Sequence, residues 1–383
     1  MRTITTTADL QEICERAKAE PYVTLDTEFL RERTYWSKLC LIQMALPGDG
    51  EAVLIDPIDT DLDLTPLYNL FRWEKTVKVF HAARQDLEIF FVEGGVFPKP
   101  LFDTQIAAMV CGFGEQVGYE TLVRKIAREN LDKTSRFTDW SRRPLSDAQK
   151  EYALADVTHL RVIYEWLSGQ IAKSGREHWV AEELSILTDP ATYTTHPEDA
   201  WLRIKTRTTS GRFLAIVKEL ARFRESYAQG HNVPRSRVMK DDALLELAST
   251  KPVTVDDLNR SRLLLREARR GDIAEGILAA VKAGQEMKPE LMPKPDPAKD
   301  QVQVNPALAD LLRVLLKAKS EDLGVAPKLI ASSSDLDALA AGDRDVHPLK
   351  GWRMEAFGAD ALRLCRGEIA LSAKGNNVRV VTL

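Results

Sequence analysis

The sequence predicts an α/β fold, a mixed sheet flanked by helices, followed by two small all-α domains. Three observations carry that prediction. Apolar segments of strand character crowd the N-terminal hundred or so residues. Strand and helix patterns then alternate, an order that describes a mixed sheet with helices packed on it. Beyond residue 200 the apolar spacing is helical, and a proline-rich stretch interrupts it. A chain of 383 residues has room for two or three domains. The predicted boundaries are 1–188 for the mixed domain, 200–285 for the first helical domain, 286–303 for a Pro-rich linker and 304–383 for the second helical domain.

In chain order, a short strand precedes a helix in residues 1–20, with Thr7 as its N-cap and Leu10, Ile13 and Ala17 on one face. YVTLDTEF alternates, placing Val23 and Leu25 on one side and Thr24, Asp26 and Glu28 on the other. LCLIQMAL (39–46) and AVLIDPI (52–58) read as strands joined by the turn PGDGE. KVFHA (78–82) is a fourth strand, followed by a helix from Arg84 through Phe91. PLFDTQIAAMV starts extended and enters a helix that Asp103 caps. Residues 119–129 and 146–172 are helical, with Trp140 in the loop between them. Pro190, His196 and Pro197 mark a hinge near 188–200. KPELMPKPDPAKDQ (288–301) is the linker. The two helical segments share a plan of helix, loop, helix and read as weak internal repeats. The last residues, EIALSAKGNNVRVVTL, are extended, with GNN as a turn.

Composition excludes several classes. Hydrophobic residues make up 44% and charged residues 29%, enough for real cores and against global disorder. No run of about 18 apolar residues exists, so no membrane span is expected. MRTITTTADLQEICERA lacks the apolar centre of a secretory leader. Four widely spaced cysteines form no metal-type pattern and predict free thiols in a reducing cytoplasm. The net charge of −4 hides a segregation. Residues 201–270 hold sixteen Lys or Arg against eight Asp or Glu, a balance of +8 that leaves −12 for the remainder. A basic helical block beside an acidic domain fits a polyanion held by one and cut by the other.

Five residues carry chemistry in combination. Asp26 and Glu28, two apart in a strand, point to one face and repel unless a cation lies between them. Asp86 follows a strand end where the chain turns into a helix, a place where open sheets bind ligands. Tyr152 and Asp156 lie one turn apart on a helix face. Each piece alone has an ordinary structural reading: a solvent-facing edge, a first-turn carboxylate, a half-buried tyrosine. Together they describe a site for hard, oxygen-seeking divalent cations, with a tyrosine to orient water. His81 is adjacent but receives no chemical role.

The motifs DTEF (26–29), HAARQD (81–86) and YALAD (152–156) resemble the DEDD superfamily of 3′–5′ exonucleases in its tyrosine-bearing branch. TYWSKLCLIQ, LFDTQIAA and LDKTSRFTDWSRRPLSDAQKEYALADV extend the resemblance to the ribonuclease D family. AWLRIK, ELARFRE and NVPRSRVMKDDALLELA resemble an HRDC domain, and 304–383 is similar to a second, divergent one. The resemblance covers roughly 1–285 and implies a ribonuclease H-like fold for the first domain. It implies two divalent ions, Mg²⁺ or Mn²⁺, held by Asp26, Glu28, Asp86 and Asp156, with Tyr152 aligning the attacking water. It also implies digestion of RNA from a single-stranded 3′ end to 5′-monophosphates, with tRNA precursors as the expected substrate and no obligate protein partner. Phe29, Tyr35 and Trp36 are candidates to stack on terminal bases, and Arg235, Arg237 and Lys240 to contact phosphates. Two alternatives stay open at this point: a DNA 3′–5′ exonuclease of the same superfamily, and a non-catalytic RNA-binding protein. The sequence does not decide the physiological RNA, Mg²⁺ against Mn²⁺, the oligomeric state or the role of 304–383.

Overall fold

The structure is a computed structural model that describes the chain except residues 59, 133–134, 136–137, 209 and 295–303. Half of the expected Pro-rich linker, 295–303, therefore lies outside the described residues. The others group into two units. The first holds Met1–Glu28, Leu39–Thr192 and Gln301–Leu383; the second holds Phe29–Lys38 and Tyr193–Asp300.

The first unit is built on a six-stranded sheet in the order β1-β4-β3-β2-β5-β6. Its strands are β1 (Arg2–Ile4), β2 (Tyr22–Leu30), β3 (Lys38–Ala45), β4 (Ala52–Ile55), β5 (Val77–Phe80) and β6 (Leu101–Asp103). β3 and β4 are antiparallel, whereas β1 with β4, β2 with β5 and β5 with β6 run parallel. The helices of this part are α1 (Thr7–Lys18), α2 (Thr65–Phe71), α3 (Arg84–Gly94), α4 (Thr104–Val110), α5 (Tyr119–Leu122), α6 (Asp147–Ser174) and α7 (Glu177–Leu187). The mixed sheet with flanking helices is the fold read from the sequence. Three local details differ. Thr6, not Thr7, caps α1: its extended backbone lets its hydroxyl accept from Asp9 N–H, while the Thr7 hydroxyl accepts from Asp63 N–H. Residues 119–129 are a single α-turn that widens into a π-helical turn at Val123–Ala127 and stops at Arg128, where φ is +63°. α7 continues beyond the helix expected to end at 172.

Four hydrogen bonds seat the long helix α6 on the sheet and its neighbours. The Thr24 hydroxyl of β2 donates to the Val157 carbonyl at 2.7 Å, and Tyr22 donates to Glu165 at 2.6 Å. Arg161, buried, donates to the carbonyls of Gly48 and Gly50 in the β3–β4 turn, at 2.6 and 2.8 Å. A capping box, Ser146 with Gln149, begins the helix.

The C-terminal segment shares one apolar core with this domain. Its elements include α13 (Pro306–Leu323), α14 (Pro327–Ile330), α15 (Ser333–Ala340), α16 (Gly351–Arg353), α17 (Ala359–Cys365) and a closing hairpin, β7 (Ile369–Lys374) with β8 (Asn377–Thr382). Trp352 stacks on Trp179 of α7, centroids 4.4 Å apart, and donates to Glu183 at 2.9 Å. Arg353 pairs with the same carboxylate at 2.6 Å. Ala326 N–H donates to the Met109 carbonyl, and the backbones approach so closely that a Cβ on Gly112 (φ +81°) would stand 2.7 Å from Gly324 O. Only glycine fits there.

The second unit is helical: α8 (Gly211–Gly230), α9 (Arg235–Val238), α10 (Asp241–Thr250), α11 (Val255–Arg260) and α12 (Gly271–Glu286). A long helix, a one-turn helix, then a second helix recur in this order from α8 and from α13. All four cysteines are free, with Cys14 and Cys40 buried. No helix among the described residues is long and apolar enough to cross a membrane.

Trp352→Ala removes a buried ring and the partner of Glu183. It is expected to cost about 3–5 kcal/mol of stability, read as a lower thermal midpoint. Because the core is shared, nuclease-domain tryptophans and C-terminal probes are expected to unfold in the same transition.

Candidate active site

The site lies where β2, α3 and α6 converge. Thr24, Asp26 and Glu28 share one face of β2, and the Thr24 bond to Val157 shows that this face meets α6. Asp156, beside Val157, thus comes within electrostatic range of Asp26 and Glu28. Asp86 stands in the first turn of α3, buried, and accepts a hydrogen bond from the Thr27 hydroxyl. Its charge acts on Glu28, and that of Asp26 acts on it. Tyr152 lies one turn before Asp156, 6.1 Å ring to ring from the buried Trp140. Asp26, Tyr152 and Asp156 line a cavity of about 280 Å³ with His81 and Tyr119. Glu28 and Asp86 do not line it; they act on it through their charge.

Burial, then the neighbouring Asp156, raises Asp26 well above the usual carboxylate range. Burial, then Asp26, Asp156 and Asp86, pushes Glu28 up to about 10. Asp86 is raised by burial and by Asp26, against the Thr27 hydrogen bond. Every charged neighbour that moves Asp26 or Glu28 among the described residues is another carboxylate. A largely enclosed set of carboxylate oxygens is the donor chemistry that hard divalent ions require. Among the described residues no group of three or more His, Cys, Asp or Glu is drawn tightly enough to grip an ion as it stands. The carboxylates fit the ion by chemistry and by charge.

Supporting residues escaped the sequence reading. The Tyr119 hydroxyl donates to the Asp156 carbonyl at 2.7 Å and fixes that turn of α6. Burial, then Asp156 and Asp26, holds the Tyr119 hydroxyl well above its ordinary pKa, so it stays a donor. Asp103 caps α4 as expected, but it also accepts from the N–H groups of Ala82 and Ala83, at 3.1 and 2.8 Å. Ala82 is left-handed, with φ +56°, so the carboxylate stabilises the strained turn that launches α3 and aims Asp86. His81, given no role from sequence, lines the cavity with Nδ1 3.0 Å from the Thr104 hydroxyl, and burial lowers its pKa.

The second unit corrects one stacking expectation. Tyr35 belongs to its apolar core, with the hydroxyl on buried Glu225, and is not available to a base. Trp36 is half-buried, its N–H and that of Tyr35 both donating to Asn232, at 2.9 and 3.1 Å. Phe29 is half-buried. Arg235 pairs with Glu225 at 2.5 Å and lies over the Tyr35 ring at 4.6 Å. Arg237 and Lys240 are exposed. A recess of about 410 Å³ is lined by Arg203, Arg224, Arg235, Ser236 and Lys240 together with acidic residues.

Known proteins agree with this arrangement. Residues 1–172 match the 3′–5′ exonuclease family model and 213–281 match the HRDC domain model. Fold and site define a metal-dependent 3′–5′ exonuclease with an HRDC domain in the same chain. The chain is 65% identical to ribonuclease D of Jannaschia sp. (strain CCS1) over 381 residues, 99% of each chain. It is 47% identical to ribonuclease D of Granulibacter bethesdensis, covering 99% of this chain and 96% of that one. The crystal structure of Escherichia coli RNase D, described as an exoribonuclease involved in structured RNA processing, superposes with a TM-score of 0.83 at 30% identity, covering 96% of this chain and 98% of that one. The chain belongs to the ribonuclease D family and is a 3′–5′ exoribonuclease.

The clustered charges have a measurable consequence without metal. The fold holds Glu28 protonated to higher pH than the unfolded chain does. Metal-free stability therefore falls as pH rises from the ordinary carboxylate range towards about 10. Glu28→Gln is expected to raise the thermal midpoint in chelator at pH 8 while abolishing most activity. Added Mn²⁺ should raise the wild-type midpoint more than the variant's. An unstabilised Glu28→Gln protein would show that the repulsion is absent.

Proposed function

We propose that this exoribonuclease trims structured RNAs, tRNA precursors foremost, from a single-stranded 3′ end in the cytoplasm and releases 5′-monophosphates one at a time. The electrostatic coupling of Asp26, Glu28, Asp86 and Asp156, with Asp26 and Asp156 lining one cavity beside Tyr152, carries this reading. Two divalent ions, Mg²⁺ or Mn²⁺, held there would lower the pKa of the attacking water and offset charge on the departing 3′-oxygen. Asp26, charge-coupled to all three other carboxylates, would hold the ions at the centre of the set. Glu28 and Asp156 complete the position for the water, and Asp86, held from behind by Thr27, supports the second ion. Tyr152 hydrogen-bonds the water and aligns it with the terminal phosphorus.

The substrate end is proposed to enter the site as a single strand. Phe29 and Trp36 are proposed to stack on the terminal bases, and Arg237 and Lys240, with Arg235 set in the same loop, to hold backbone phosphates. The E. coli relative's involvement in structured RNA processing supports that class of substrate. The domain assignment follows: 1–188 the nuclease, 200–285 the HRDC domain, 286–303 the linker, and 304–383 a divergent HRDC-like domain that braces the nuclease.

A 5′-labelled tRNA precursor with a short 3′ trailer should yield a ladder shortened one nucleotide at a time. Asp26→Asn should slow it on the order of 10³-fold and Tyr152→Phe about 10²–10⁴-fold. A fully active Tyr152→Phe would remove the role given to the tyrosine. In a separate binding measurement, Arg237→Ala with Lys240→Ala should flatten the salt dependence by up to about two units of slope. An unchanged slope excludes both as phosphate contacts.

A further inference from the structure

We propose that Arg143, together with Asp56, is a positioning residue for Tyr152: the pair pins the loop that carries Trp140, and the Trp140 ring is the wall on which Tyr152 rests. The inference builds on the role proposed for Tyr152. Arg143 immediately precedes the proline that leads into α6. Its guanidinium forks onto Asp56, Nε to Oδ2 at 2.5 Å and Nη2 to Oδ1 at 2.6 Å. Nη2 also donates to the Cys40 carbonyl of β3 at 2.7 Å. Nη1 donates to the carbonyls of Trp140 and Arg142, each at 2.8 Å. One planar cation thus gathers a residue of β3, the residue after β4 and two carbonyls of its own loop. Lysine cannot reproduce that fork.

The anchor on the sheet side is itself fixed. Asp56 N–H donates to the Ile4 carbonyl at 2.9 Å, and Ile58 N–H donates to Asp56 Oδ1 at 3.0 Å. Arg143 and Asp56 side chains are only 18% and 10% exposed, so a broken pair leaves a largely buried charge without its partner. On the loop side, Trp140 is 2% exposed and its Nε1 has no hydrogen-bond partner. Packing and the Arg143 bond to its carbonyl therefore set where its ring stands. Tyr152 is the ring it faces, at 6.1 Å and 36°.

The division of labour along α6 makes the effect specific. Tyr119, Thr24 and Arg161 hold the helix at Asp156, Val157 and beyond. Tyr152 lies one turn nearer the N-terminus, on the side that the pinned loop supports. Loosening the clamp should thus disturb alignment of the water and leave the carboxylates and RNA binding in place. Small misplacements of an aligned group are known to cost rate heavily.

The test is a double-mutant cycle on the full-length enzyme with a short unstructured RNA and saturating Mn²⁺. Arg143→Lys and Asp56→Asn, each alone, are expected to lower kcat roughly 10- to 100-fold with KM within about twofold. Added to Tyr152→Phe, each should lower kcat little further, because the group they position is gone. Trp140→Phe should retain far more kcat than Trp140→Leu. Losses that multiply fully with Tyr152→Phe, losses confined to KM, or an unchanged kcat overturn the proposal. If Arg143→Lys does not fold, as judged by its unfolding midpoint, Asp56→Asn and the Trp140 pair decide it. A fully active Tyr152→Phe defeats the underlying reading of the tyrosine, and that outcome is seen without any clamp variant.

Discussion

Asp26 stands within range of the charges of Glu28, Asp86 and Asp156 in a largely enclosed site, and that repulsion shapes the rest of the structure. Two like charges 4 Å apart cost about 4 kcal/mol at an effective dielectric near 20. A domain's whole stability is about 5–15 kcal/mol. Such a cluster persists in a fold only where protonation or a bound cation offsets it, and where the scaffold prevents the side chains from swinging apart. The raised carboxyl groups reflect the first remedy. The donor set, four carboxylates, is suited to the second.

The scaffold supplies the restraint. β2 fixes Asp26 and Glu28 on one face by its two-residue period. Asp103 stabilises the left-handed turn at Ala82 from which α3 departs with Asp86. Thr24, Tyr119 and Arg161 set the position of α6, each by donating to a backbone carbonyl. These groups act mainly by holding backbone, although the Asp103 charge also reaches Asp86. They convert three separate elements into one rigid frame, which is what pre-organised electrostatics needs. The C-terminal segment extends that frame by packing Trp352 and Arg353 on α7.

The candidate site was legible because its spacing is local. Two residues in a strand and four in a helix decide which side chains share a face, whatever the tertiary context. The resemblance of three short motifs then joined the pieces. What stayed hidden depends on distant partners. Tyr35 reads as an exposed aromatic beside an acidic motif, yet its environment comes from Glu225, 190 residues away. Tyr119 has no periodic signature, and its value lies in one bond to the Asp156 carbonyl. The cap of α1 falls on Thr6 because Thr7 is engaged by Asp63, a contact that no local rule contains. The common core of the nuclease and the C-terminal segment was likewise beyond a reading of linear pattern.

The central claim is that these carboxylates form one divalent-cation site that the metal-free protein keeps partly protonated. Calorimetric titration of Mn²⁺ into metal-free protein at pH 7, in two buffers of different ionisation enthalpy, tests it directly. The account predicts binding accompanied by proton release in the wild type, with both lost in Asp26→Asn. Absence of binding, or binding without proton release and indifferent to Asp26, would contradict it.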